Sequence, residues 1–160
     1  MKSMQSISQN MIVQHWINQL HNKQTCLCIG LDPDIEKLPT GYSETVDGVE
    51  HFLKDIIDIS VDKCISYKPN ISFFEAFGIN GLVMLQRIVA HINQRVPVII
   101  DAKRGDIGNT SKKQAAFIFD ECQADATTLH PYMGYDSLEP FFNYKEKFNF
   151  VLGLTSNPGS

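Results

Sequence analysis

Eight consecutive residues, Asp101-Ala102-Lys103-Arg104-Gly105-Asp106-Ile107-Gly108, set two carboxylates around a lysine at spacings of two and three. They continue Pro97-Val98-Ile99-Ile100, an apolar run that reads as a short buried strand. Period two predicts Ile99, Asp101 and Lys103 on one face of it, so an acid and a base leave the strand side by side. Asp106 follows just past the strand, with Gly105 and Gly108 loosening the backbone around it. Charged side chains cost several kcal/mol to bury unless they are paired. The segment is therefore either a structural ion pair closing a sheet edge or a working charge cluster, and these residues alone leave both readings open.

Other strand ends carry charge too. Asp32 follows the run ending at Leu31, and Lys68 precedes Pro69-Asn70. In a parallel sheet every carboxyl strand end lies on one edge. If the sheet curls, Asp32, Lys68, Asp101, Lys103 and Asp106 can converge there. Alternating lysines and aspartates keep each other ionised. A fixed array of full charges suits a reaction in which charge leaves one atom and appears on another. Three aspartates could hold Mg²⁺, but two lysines among them repel a divalent cation, so no metal is expected. No Ser/His/Asp arrangement is identifiable. His130 reads as a hydrogen-bonding spacer, and Tyr132, Phe141 and Phe142 as core aromatics.

The elements that must position these residues alternate along the chain. Residues 8–22 read as an amphipathic helix with Ile12, Val13, Trp16, Ile17 and Leu20 on one side. Residues 25–31 read as a strand, 44–62 as a helix with Val49, Phe52, Leu53, Ile56, Ile57 and Ile59 on its apolar side, and 64–68 as a second strand. Residues 73–94 are mostly helical, interrupted near Gly78 and Gly81, and 96–103 form the third strand. Asn109 or Thr110 can cap a helix reaching about Cys122. A fourth strand at 124–129, a helical segment at 136–147 with Pro140 as a break, and a fifth strand at 148–154 complete the pattern. Strand–helix alternation of this kind gives a parallel α/β sheet. No GxGxxG follows the first strand, which weakens a dinucleotide-binding doubly wound sheet. Polar residues at nearly every strand end (Thr155 and Ser156 after the fifth) favour a (β/α)8 barrel, of which five strands are present.

The composition is that of a globular protein, with 43% hydrophobic and 20% charged residues. A net charge of -4 provides no basic footprint for nucleic acid. No apolar run has the length of a membrane span. Met1-Lys2-Ser3-Met4-Gln5-Ser6 has no apolar core, so no secretory signal is expected. Cys26, Cys28, Cys64 and Cys122 are expected to be reduced, mostly buried thiols of a cytoplasmic protein.

Five motifs together resemble one family: Gly30-Leu31-Asp32-Pro33-Asp34; Tyr67-Lys68-Pro69-Asn70 with Phe73-Phe74-Glu75; Asp101 through Thr110; Pro131-Tyr132-Met133-Gly134-Tyr135-Asp136-Ser137; and Thr155-Ser156-Asn157-Pro158-Gly159. In this order they resemble orotidine 5'-phosphate decarboxylase, most closely its longer-chain bacterial branch. The resemblance implies a single (β/α)8 barrel domain over residues 1–160 and beyond, a cytoplasmic homodimer with shared active sites, and no cofactor or metal. It implies cofactor-free decarboxylation of orotidine 5'-monophosphate to uridine 5'-monophosphate in pyrimidine synthesis. Lys103 matches the lysine that protonates C6 of the pyrimidine, and Asp101 the aspartate facing the departing carboxylate. Lys68 and Asp106 complete a Lys-Asp-Lys-Asp array. Asp32 and Lys68 match residues touching the ribose, and Ser156 a serine contacting the pyrimidine. Asp106, Ile107 and Thr110 match residues contributed across the dimer interface.

The family's phosphate-gripping loop follows the position of Gly159, so a chain ending at Ser160 is expected to be a fragment with little activity. Two other readings follow from the same residues. One is a catalytically inactive scaffold of the same fold. The other is a Mg²⁺-dependent enzyme of the 3-keto-L-gulonate 6-phosphate decarboxylase type, against which Lys68 argues because that type carries a glutamate there.

Overall fold

In a computed structural model of the chain, residues 5–92 and 94–159 are described. Residues 1–4 lie outside it, and with them most of the Met1–Ser6 stretch. Five strands run parallel: β1 (Cys28–Leu31), β2 (Ser66–Pro69), β3 (Ile99–Arg104), β4 (Ala126–Leu129) and β5 (Phe148–Val151). β1 pairs with β2, and β3 with β4 and β4 with β5. Parallel bridges Tyr67–Val98 and Asn70–Asp101 join β2 to β3. The spatial order therefore follows the sequence, 1-2-3-4-5. A doubly wound sheet reverses its order at a switch point, and this one does not. Among the described residues the sheet is open rather than closed into a barrel.

Among the described residues six α-helices connect or flank the strands: α1 (Gln5–Lys23), α2 (Val46–Ser60), α3 (Ile71–Glu75), α4 (Gly78–Ile92), α5 (Gly108–Ala116) and α6 (Tyr135–Phe142). α2 starts where the Thr45 hydroxyl accepts the Gly48 N–H. It buries Val49, Leu53 and Ile57 at a spacing of four. Ile59, expected on the same face, is 67% exposed because it lies off that stripe. α4 buries Met84, Leu85, Ile88, Val89 and Ile92. Glu50, almost fully buried between the two helices, is held by Lys54 at 2.6 Å and Arg87 at 3.3 Å.

Gly78 has φ +64° and turns the chain between α3 and α4, as expected of a glycine at a helical interruption. Gly81 does not interrupt anything. α4 runs through it, and the residue is a glycine for space: a Cβ there would overlap the Phe74 carbonyl oxygen at the end of α3. Pro140 does not break its segment either. It sits inside α6, which ends two residues later.

β3 and β4 are the central strands and are buried on both faces. Ile99 to Ala102 and Ala126 to Leu129 are all buried, as strands covered on both sides require. β5 is shorter than expected. It stops at Val151, so Thr155 and Ser156 lie in the following loop and not at a strand end. After α5 the chain makes a π-helical turn over Phe117–Glu121 before β4.

α1 crosses the amino-terminal edge of the sheet. Lys23 Nζ reaches the carbonyls of Val61 (2.6 Å) and Cys64 (2.9 Å), just before β2. Gln19 donates to the Arg95 carbonyl ahead of β3, and Trp16 packs edge-on against Phe148 and Phe150. Only part of its predicted apolar face is used, because Val13, Ile17 and Leu20 remain exposed. Among the described residues no helix is long and apolar enough to cross a membrane.

Candidate active site

The carboxyl edge of the sheet brings three of the predicted charges together, two lysines around one carboxylate. Asp101 is buried in β3, with a side chain only 9% exposed. Its Oδ1 accepts from Lys103 Nζ at 2.6 Å and its Oδ2 from Lys68 Nζ at 3.1 Å. The lysine side chains are 36% (Lys68) and 50% (Lys103) exposed, so the cations remain accessible to solvent while the anion between them is buried. Burial pushes the Asp101 carboxyl up, but hydrogen bonds from Lys103, Thr128 and Lys68 outweigh it and hold the carboxyl below its ordinary value. The carboxylate is thereby kept ionised, and two cations are fixed where a substrate anion can approach.

Asp101 and Lys103 do meet, but not through a regular strand. The β3–β4 register steps from Ile100–Thr127 to Arg104–Leu129, so four positions on β3 span two on β4. Lys103 sits in this bulge with φ +46°, a left-handed conformation uncommon for a side-chain-bearing residue. The bulge also brings Arg104 to Glu75 on α3 as an ion pair.

Thr128 was not apparent from the sequence. Its hydroxyl donates to Asp101 Oδ1 at 2.7 Å and accepts the N–H groups of Ala102 (3.0 Å) and Lys103 (2.9 Å). The available signal was a hydroxyl inside the buried strand Ala126-Thr127-Thr128-Leu129, since buried polar groups need partners.

The other predicted residues stand apart from this cluster. Asp106 is half-buried, and among the described residues neither lysine forms an ion pair with it. Its carboxylate accepts the Ile107 N–H at 2.6 Å, and its own N–H donates to Ser111 Oγ at 2.9 Å. Ser111 is fully buried and also bonds the Ser137 carbonyl, tying the turn to α6. The expected Asn109 or Thr110 cap does not form: α5 starts after Ile107 with no side-chain cap. Ile107 is 69% exposed, and Thr110 is exposed beside it. Asp32 Oδ1 accepts the Asn70 N–H at 3.3 Å, linking the ends of β1 and β2. Ser156 is exposed in the loop after β5.

The backbone N–H of His130 donates to the Arg104 carbonyl. Phe141 is core, but Tyr132 is 93% exposed, because it lies in the turn before α6 and not on the helix. Cys26, just before β1, and Cys28, its first residue, are exposed, against expectation, while Cys64 and Cys122 are buried. A groove of about 500 Å³, lined by Val89, Val98 and Cys122 among others, lies between α4 and the π-helical turn, away from the Asp101 cluster. Charge, not cavity size, marks the site. Among the described residues no group of three His, Cys, Asp and Glu side chains is placed to hold a metal ion.

A parallel sheet wound in sequence order and flanked by helices, with charged side chains on its carboxyl edge, defines an α/β protein. The chain belongs to the orotidine 5'-phosphate decarboxylase / HUMPS family, whose sequence profile matches residues 25–160. An orotidine 5'-phosphate decarboxylase of Flavobacterium johnsoniae is 46% identical over 153 residues, covering 94% of this chain and 56% of that protein. A Toxoplasma gondii structure assigned as an orotidine-monophosphate decarboxylase superposes with a TM-score of 0.87 at 38% identity, covering 95% of this chain and 51% of its own. The Leishmania donovani OMP decarboxylase superposes with a TM-score of 0.78 at 37% identity, over 90% and 55%. The chain thus spans a little over half the length of the relatives it matches.

Proposed function

We propose that this chain supplies the charged centre of an orotidine 5'-monophosphate decarboxylase, releasing CO2 and forming uridine 5'-monophosphate for pyrimidine synthesis. The observation that carries this reading is the Lys68–Asp101–Lys103 array on the carboxyl edge, in a chain whose named relatives share that activity. Breaking the C6–carboxylate bond leaves the electron pair on C6, with no conjugated sink. The Lys103 ammonium beside C6 stabilises that pair and then gives C6 its proton. Asp101 faces the carboxylate, and its negative charge opposes the bound substrate more than the neutral product CO2. Lys68 neutralises Asp101 on its other side and reaches the ribose, as does Asp32, while Ser156 meets the pyrimidine ring.

In the same reading the five strands are part of a closed (β/α)8 barrel, and the protein works as a cytoplasmic homodimer. Asp106 then completes the array of the partner subunit, with Ile107 and Thr110 beside it. Two observations support that role: among the described residues Asp106 pairs with neither Lys68 nor Lys103, and Ile107 is exposed next to it.

The test is ultraviolet-monitored turnover of orotidine 5'-monophosphate by the full-length protein, with CO2 captured. Stoichiometric CO2 and uridine 5'-monophosphate are expected. Tight binding of a 6-hydroxyuridine monophosphate analogue without turnover would instead identify a scaffold.

A further inference from the structure

Thr128 makes three hydrogen bonds with one hydroxyl, and all three end on the charged segment of β3. The hydroxyl has one proton and two lone pairs. The proton goes to Asp101 Oδ1, and the lone pairs take the N–H groups of Ala102 and Lys103. Those two N–H groups lie within the bulge, where the strand register slips and no β4 backbone partner is in place. Lys103 has its left-handed φ of +46° at the same point. A non-glycine residue persists there only when its surroundings hold it.

We propose that Thr128 is the positioning residue of this site, holding the Asp101 carboxylate and the β3 bulge that aims Lys103 with a single buried hydroxyl. The role rests on the decarboxylase reading for its catalytic consequence, but the hydrogen-bond geometry stands without it. Thr128 does not touch the reacting atoms. It acts through Asp101 and Lys103. Its neighbour Thr127 provides an internal comparison. That hydroxyl is also buried in β4 but donates to the Ile100 carbonyl, away from the charges.

The experiment compares Thr128→Val, Thr128→Ser and Thr127→Val in the full-length protein by two independent readouts. The first is the Asp101 carboxyl titration, followed by carboxyl-carbon NMR. Removing a donor to a carboxylate raises its pKa, so Thr128→Val should titrate at higher pH than wild type, while Thr128→Ser and Thr127→Val should not. The second is steady-state decarboxylation. Misaiming Lys103 should lower kcat of Thr128→Val by about tenfold to a hundredfold with KM little changed, and Thr128→Ser should restore it. If Thr128→Val does not fold, Thr128→Cys serves in its place, since a thiol is only a weak donor and acceptor. An unshifted Asp101 titration with unchanged kcat in a folded variant would overturn the proposal. A wild-type protein without decarboxylase activity would defeat the functional reading alone, and the Asp101 titration would still decide the positioning role.

Discussion

Lys103 Nζ lies 2.6 Å from Asp101 Oδ1, two positions along an irregular stretch of β3. Lys103 holds this contact from a left-handed backbone, with φ +46°. A lysine held this way is preorganised: its charge is already placed before a substrate arrives, which is where electrostatic catalysis gains most.

Lys103→Ala should therefore remove about 4 kcal/mol of transition-state stabilisation, roughly a thousandfold in rate. Single-turnover decarboxylation by the full-length protein measures it directly. A near-normal rate would remove Lys103 from the chemistry.

Asp101 should make the fold acid-sensitive. Its folded pKa lies below the unfolded value of about 3.9. A group depressed in this way contributes stability that is present above its unfolded pKa and lost as pH falls through the folded one. The stability gap between wild type and Asp101→Asn, from urea unfolding, should be constant from about pH 7 to pH 5 and narrow as the solution becomes more acidic. A gap independent of pH down to strong acid would contradict the pairing.

Gly81→Ala should destabilise the protein by about 1–3 kcal/mol, the usual range for overpacking. The added methyl group meets the Phe74 carbonyl and the Phe77 Cβ, and backbone at the α3–α4 junction has little room to yield. An unchanged urea midpoint would show that the junction relaxes freely.

The four thiols should divide into two pairs. Cys26 and Cys28 are exposed, whereas burial pushes Cys64 up and Cys122 up to about 12. Only thiolates react quickly with disulfide reagents. Titration of the native chain should modify two cysteines rapidly, and all four after unfolding. Fast reaction of Cys122 in the native state would mean that the π-helical turn opens.

Much of this protein was legible along the chain. The alternation of strands and helices, the buried run before Asp101 and the charges at strand ends follow from periodicities of two and 3.6 residues. Those reflect contacts between near neighbours, so they can be read locally. The motif order from Gly30 to Gly159 pointed to the family that the profile match shows. The tertiary structure decided which charges meet. Lys68 and Asp101 are 33 positions apart and touch because β2 and β3 lie side by side. Asp106, only five positions from Asp101, faces its own turn instead. The role of Thr128, the left-handed Lys103 and the space-limited Gly81 depend on register shifts and interhelical approach. Those arise only when distant segments pack, and no local periodicity encodes them.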